Sequence, residues 1–451
     1  MAREYLGGLA AARALDPVRS RRPRVAVIGA GISGLAAAHA LKQGADVTLF
    51  EAADYFGGHA HTVDVTLDGV THGVDTGFLV LNERTYPKLL ELLAELGVPV
   101  ARSEMSFSVQ VPGALGGDAL EWSGSSLASV FCQTSNLARP RFWRMLRDLL
   151  RFNALASQLA QCGDAAPLEG SLGDFLRAER FSPEFRDWYL LPMLGCIWSC
   201  PTEQMLHFPL ASMLQFCRNH GLLQIANRPQ WYTVAGGARE YVRRIVAGLP
   251  DARLRTPVLA VRRHARHAEI ETAAGVECFD SVLMAVHPQQ VLAMLRDATV
   301  AERGVLSAIR YQRNRAVLHT DASVLPRRKA AWAAWNFEGA AAGGRRVCLH
   351  YLINRLQPLP WKQPVIVSLN PQQPIDGRSI LGEYDYEHPV FDAPALAAQG
   401  RLPQLQGQRH TWFCGAWAGH GFHEDGLASG QSAARLLLAT CGIRQAEQHF
   451  A

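Results

Sequence analysis

The sequence predicts an α/β protein in two interleaved parts, one a parallel sheet with covering helices and the other α+β. Three observations predict it. Residues 24–51 run from an apolar strand through a glycine-spaced turn into an alanine-rich helix, then into a second strand ending in an acid. A strand, a glycine-rich turn and a helix recur near the other end, at 411–438. Between about 115 and 228 the pattern turns helical and rich in aromatics, which marks an insertion. At 451 residues the chain is too long for one typical core, so two domains are expected.

In chain order, residues 1–23 carry Arg19, Arg21 and Arg22 but lead into a strand, not the apolar core of a signal peptide. They are expected to form a disordered tail. Val25, Ala26, Val27 and Ile28 make a buried parallel strand. Gly29, Gly31 and Gly34 follow in G-x-G-x-x-G spacing. The first allows a tight turn, the second lets backbone amides approach a pyrophosphate, and the third lets the helix pack on the strand. The helix N-terminus faces the phosphates with its partial positive charge. The second strand ends at Glu51, placed to accept hydrogen bonds from ribose hydroxyls. Gly57 and Gly58 offer a further backbone approach to the same ligand. The unit is Rossmann-like and binds a dinucleotide.

Residues 75–80 read as a turn entering an apolar strand, and 89–96 as an amphipathic helix ended by Gly97. Within the insertion, 139–152 place Arg144, Arg147 and Arg151 on one helical face, with Trp143, Met145, Leu146, Leu149 and Leu150 over the remainder. Two readings stay open there: a core-packed helix with a solvated basic stripe, or contact with an anionic lipid surface. Residues 254–262 and 269–272 look like strands returning to the first part, with Val258 able to pack near an adenine. Residues 280–288 form a buried strand stopped by Pro288, and 290–400 mix strands with Trp and Tyr. The expected organisation is a discontinuous cofactor domain at 24–114, 229–290 and 401–445. A substrate domain takes 115–228 and 291–400.

Composition narrows the function. A net charge of +5 is mild for this length and points to no nucleic-acid partner. Nine cysteines lie scattered without C-x-x-C spacing, so thiols in a reducing compartment are expected and neither a zinc site nor a disulfide framework is. No apolar run is long enough to span a bilayer. The protein is expected to be cytoplasmic, with peripheral contact at the inner membrane under the lipid reading.

The acid-x5-GG continuation from Glu51 to Gly57-Gly58 resembles the two-dinucleotide-binding-domain flavoproteins, which selects FAD. Longer segments carry a more specific likeness. They include VDTGFLVLNERTYP from Val74, IWS from Ile197, FCRNHGLL from Phe216 and VAGGAREYV from Val234. VLHTDASVLPRRKAAWAAWNF from Val317, YLINRLQPL from Tyr351, SLNP from Ser368, EHPVFD from Glu387 and GAWAGHGFHEDGLASG from Gly415 complete the set. With these the chain resembles the flavin-containing amine oxidase superfamily, in particular a bacterial branch of predicted NAD/FAD-binding proteins often encoded beside cyclopropane-fatty-acyl-phospholipid synthases. The resemblance covers nearly everything after Pro23.

It implies FAD held by Gly29, Gly31, Ser33, Gly34, Glu51, Gly57, Gly58, Val258, Gly415, Asp425, Gly426 and Leu427. The helix starting near His423 is expected to point at the flavin's N1–C2=O edge. Flavin accepts the hydride, so the protein must position a C–H bond and exclude water, and no metal or triad is expected. His423 is the candidate base or orienting group, and Trp417 a candidate pocket wall. Lys329, alone among the four lysines in lying within a shared motif, is the candidate for the lysine that amine oxidases hold near flavin N5. His319, Asp321, Asn336, His350 and Asn354 are lesser candidates. Three functions follow: an FAD oxidoreductase acting on a small or lipid substrate, foremost a fatty acyl chain; an amine oxidase; or an FAD-bound non-redox isomerase or scaffold for a lipid methyltransferase partner.

Overall fold

The computed structural model describes residues 21–161, 170–198, 200–224, 229–339 and 347–442. The expected disordered tail therefore lies outside the described residues up to position 20. Arg21 is already tied to Asp280 at 3.1 Å, and Pro23 is buried.

The cofactor part is built on a five-stranded parallel sheet in the order Asp251–Arg253, Asp46–Phe50, Arg24–Ile28, Ser281–Met284, Thr411–Phe413. Its central strand is apolar because both faces are covered: Val25, Ala26 and Val27 are fully buried. On one face lie the helices Ile32–Leu41 and His423–Thr440, packed directly on each other. Their backbones meet because the second carries glycine at the contact. A Cβ on Gly426 would sit 2.8 Å from Ile32 Cγ2, and one on Gly430 would strike the Ser33 carbonyl. The other face is covered by the antiparallel meander Ala260–Arg263, Ala268–Thr272, Gly275–Phe279 and by short helices including Pro288–Met294 and Ala393–Arg401.

A seven-stranded sheet carries the second part, in the order Ile380–Pro389, Tyr311–His319, Ile366–Leu369, Cys348–Leu352, Trp335–Glu338, Phe107–Leu115, Asp118–Ser123. Its neighbours pair antiparallel except Trp335–Glu338 with Phe107–Leu115. Helices Pro140–Gln161, Leu191–Trp198 and Leu210–Asn219 close over it, sharing a core of Trp122, Phe142, Phe152, Phe185 and Phe216.

Three expectations shift. A break at 114/115 would cut the strand Phe107–Leu115, which belongs wholly to the seven-stranded sheet. Residues around Val291, Val305, Ala395 and Ala398 pack on the five-stranded sheet, so parts of 291–400 join the cofactor side. The apolar run at 78–80 is a buried loop: the strand Val70–Asp75 stops where Asp75 is held by Thr62, Ala238 and Gln357, and Phe78 N donates to His59 O at 2.7 Å. No helix among the described residues is long and apolar enough to cross a membrane.

Candidate active site

One cleft of about 2030 Å³ runs between the two parts, roughly twice the upper end for ordinary ligand sites. Its first half is the glycine turn. Gly29 has φ +99°, and a Cβ there would lie 2.6 Å from Val286 and 2.7 Å from the Ala285 carbonyl. A Cβ on Gly34 would strike the Gly29 carbonyl, so these two glycines serve packing. Gly31 differs: a Cβ there would meet nothing within 4 Å, because the space beside it is the cleft. As N-cap of Ile32–Leu41 it offers no side chain to the helix's free N–H groups, which leaves them for a ligand.

Ser33 and Gly58 also line the cleft. Gly57 stands behind them, its N–H donating to Ala30 O at 2.9 Å. Glu51 is fixed at the wall by backbone donors, Ala30 N at 2.8 Å on Oε2 and Ala53 N at 2.9 Å on Oε1, with lone pairs to spare. Val258 lines the same end with Thr256 and Pro257.

From the C-terminal segment, Gly415, Trp417, Phe422 and His423 reach the cleft. Asp425, Gly426 and Leu427 do not. Asp425 accepts from Phe422 N at 2.9 Å and caps the helix, Gly426 admits the facing helix, and Leu427 is core. Local capping and packing signals read in sequence like ligand contacts. Trp417 is a rigid wall, buried, with its indole N–H donating to Val286 O at 3.2 Å.

His423 opens its helix and stacks on Phe78, with ring centroids 3.7 Å apart, while its Nε2 lies 2.9 Å from the Tyr241 hydroxyl. Burial pushes its pKa down to about 3, so it is neutral at physiological pH and is no store of protons. Lys329 is exposed on the turn Lys329–Ala331, its Nζ 5.7 Å from the Trp332 ring, and is not part of the cleft wall. Motif membership does not reveal whether a turn residue faces the cleft or the solvent. No lysine is among the residues lining the cleft.

A cluster of imidazoles and phenols at the centre of the cleft was invisible in sequence, although GGHAH at 57–61 and EHP at 387–389 carry it. His59 lies 5.2 Å from His388 and 5.1 Å from Tyr386, centroid to centroid. His287 stacks on Tyr311 at 4.0 Å and pairs with Glu387 at 3.0 Å. Burial, reinforced by the neighbouring imidazoles, holds His59 well below the usual histidine range and brings His388 down to about 4. His59 Nε2, Ser103 Oγ and Trp335 Nε1 belong to residues of the same wall and are buried without a hydrogen-bond partner among the described residues.

The far half is apolar, walled by Phe107, Trp122, Leu146, Tyr189, Met193 and Ile197. At its mouth Leu127 is 80% exposed, Leu150 56% and Trp143 48%. The basic face of the helix beside it is ion-paired: Arg144 with Glu184 at 3.5 Å, Arg147 with Asp148 at 3.0 Å, Arg151 with Glu179 at 2.6 Å.

The profile of the flavin containing amine oxidoreductase family matches residues 32–319. The Mycobacterium tuberculosis protein assigned as flavin-containing monoamine oxidase AofH is 26% identical over 292 residues, 60% of this chain and 58% of that protein. The chain thus spans under two thirds of that relative's length. Among solved structures, cyclohexylamine oxidase from Brevibacterium oxydans IH-35A superposes with TM-score 0.67 at 17% identity, covering 94% of this chain and 100% of that one. The CLA-producing fatty acid isomerase from P. acnes superposes with TM-score 0.64 at 16% identity, covering 93% and 98%. At these identities the likeness is one of fold.

Proposed function

The chain belongs to the flavin-containing amine oxidoreductase family, and from that premise we propose that it is an FAD-dependent oxidoreductase that takes hydride from a C–H bond of an apolar substrate, foremost a fatty acyl chain. The cofactor of the family is FAD, and the cleft suits it: the open flank of Gly31 and the uncapped helix face the space it needs. Gly31, Ser33, Glu51, Gly58, Val258 and Gly415 would hold it. When bound, FAD supplies the two-electron hydride acceptor.

The chain's own residues then bind, orient and dry the substrate. The observation that carries the acyl reading is the far half of the cleft, with its aromatic and aliphatic walls opening at an apolar rim. Burying an acyl chain there stabilises the complex by about 0.8 kcal/mol per methylene. Of the carboxylates in the wall, Glu104 is engaged by Arg355 at 2.6 Å and Glu387 by His287 at 3.0 Å, while Glu51 and Asp385 line the cleft without an ion pair among the described residues. The imidazoles are held neutral by burial, which suits removal of hydride without a charged base.

The rim formed by Leu127, Trp143 and Leu150 is read as the face that meets a bilayer and admits the chain. Because the basic face beside it is already paired, apolar insertion rather than attraction to anionic lipid is its driving force.

A second reading, amine oxidation, draws on the monoamine and cyclohexylamine oxidases to which the chain is similar. Anaerobic flavin absorbance separates the two. Bleaching by unsaturated, cyclopropyl or methyl-branched phospholipids and not by polyamines or monoamines supports the acyl reading. Bleaching by amines alone replaces it. No bleaching, with double-bond migration in a lipid product, moves the site to a non-redox isomerase, the activity named for the P. acnes protein of the same fold.

A further inference from the structure

Behind the cleft wall, the hairpin Trp335–Glu338 and Cys348–Leu352 carries a cluster that the proposed chemistry does not use. Trp335 and Tyr351 line the cleft, so residues of opposite parity, Glu338, Cys348 and His350, lie on the reverse face of the sheet. Glu338 stands directly across the ladder from Cys348, and His350 follows Cys348 by two on the same side. All three are buried.

Their donor atoms form a closed triangle. Glu338 Oε2 lies 3.0 Å from His350 Nε2, and Cys348 Sγ lies 3.5 Å from each of them. A hydrogen-bond chain does not require such closure, since a thiol has a single proton and can donate it to only one neighbour. Tetrahedral zinc does require it. With Zn–S of about 2.3 Å and Zn–N and Zn–O of about 2.0–2.2 Å, ligand atoms stand roughly 3.4–3.6 Å apart. The two sulfur edges match, and the third needs to open by only a few tenths of an ångström.

Charge agrees as well. A thiolate and a carboxylate neutralise a dication while the imidazole stays neutral, so a loaded site carries no net charge into the core. His350 is oriented from behind, its Nδ1 2.7 Å from Ser368 Oγ, which in turn lies 2.7 Å from His319 Nε2. This turns Nε2 toward the triangle, as second-shell partners of metal-bound histidines do.

We propose that Glu338, Cys348 and His350 form a site for a borderline-soft divalent cation, zinc foremost, with one position left for water, and that the ion pins the hairpin whose other face is the cleft wall. The proposal stands apart from the substrate assignment. It also departs from the cysteine-spacing expectation, because that looked for ligands close in sequence, while Glu338 and Cys348 are ten residues apart and meet across a ladder.

The FAD-loaded full-length protein is equilibrated with zinc, dialysed against zinc-free buffer and assayed for metal by mass spectrometry. In parallel, cobalt(II) is added and thiolate-to-cobalt charge-transfer absorption is recorded as a difference from the flavin spectrum. About one retained equivalent and a charge-transfer band are expected. Cys348→Ser should abolish both, and Glu338→Gln should weaken zinc binding by at least about ten-fold while flavin content and melting profile show it folded. The trio His264, His267 and Glu269, of which His264 is exposed and the other two half-buried, provides the control. Absence of a cobalt–thiolate band in the unmodified protein overturns the proposal. So does metal that is lost with His264→Ala and His267→Ala but survives Glu338→Gln.

Discussion

At the scale of single residues, the glycines of one turn separate by what surrounds them. Gly31→Ala meets no protein atom, so its apo fold should keep its melting temperature, while FAD affinity falls by a factor of about ten or more, set by a methyl group in a tight site. Gly34→Ala collides with backbone and should lose folding and FAD together, by at least about 1–3 kcal/mol. Titration calorimetry with FAD beside apo melting curves distinguishes them. The buried histidines set a pH response. His220, His388 and His423 are held by burial at about 4, about 4 and about 3. Below the ordinary histidine pKa the unfolded chain takes up protons that the fold refuses, so each costs about 1.4 kcal/mol of stability per pH unit down to its folded pKa. Asp75, raised to about 7 by burial, acts in the opposite sense: its folded carboxyl keeps a proton that the unfolded chain releases, and its stabilising share is lost as pH rises toward 7. His59 and His319 are lowered in the same direction, so the imidazoles outnumber Asp75 and stability should fall on acidification from about pH 6.5 to about 4. Urea midpoints across that range check this, and His388→Asn should make the slope shallower.

At the scale of elements, the two helices Ile32–Leu41 and His423–Thr440 meet through Gly426 and Gly430, which brings the C-terminal turn to the cradle. Gly430→Ala, far from any ligand, should therefore cost stability and FAD affinity together, read by melting and by flavin retention on gel filtration. The parallel strand, glycine turn and acid were legible in sequence because each has a local physical signature: apolar continuity, a need for φ > 0 or close approach, and a strand end. In the helix Pro140–Gln161 the arginine stripe was likewise legible, although its charges turned out to be paired and Trp143 and Leu150 of the expected apolar set are exposed. What sequence could not show is decided by contacts between distant segments. The loop at 76–80 looks like a strand until Asp75 and His59 capture it. Where Lys329 lies is decided by the loop before Trp335–Glu338, which Glu121 holds by accepting from Arg327 N at 2.8 Å. His59 and His388 come together from positions more than three hundred residues apart. On the same helix, Leu150→Asp should reduce flotation with phospholipid vesicles and slow turnover of vesicle-held substrate, while a detergent-dispersed short-chain substrate is turned over as before.

At the scale of the molecule, two sheets with different duties face one cleft. The parallel sheet ends in a glycine turn with free N–H groups, which suits a phosphate-bearing cofactor. The seven-stranded sheet and its helices give a largely apolar wall, which suits a long hydrocarbon. A cleft of about 2030 Å³ has room for both. Stopped-flow anaerobic flavin bleaching against acyl substrates of increasing length asks whether the apolar half binds the chain whose C–H bond is oxidised. The prediction is a dissociation constant that falls about four-fold per added methylene, equivalent to about 0.8 kcal/mol, until the cleft is filled and the dependence levels off. Bleaching indifferent to chain length, or produced by amines and by no acyl substrate, would contradict it.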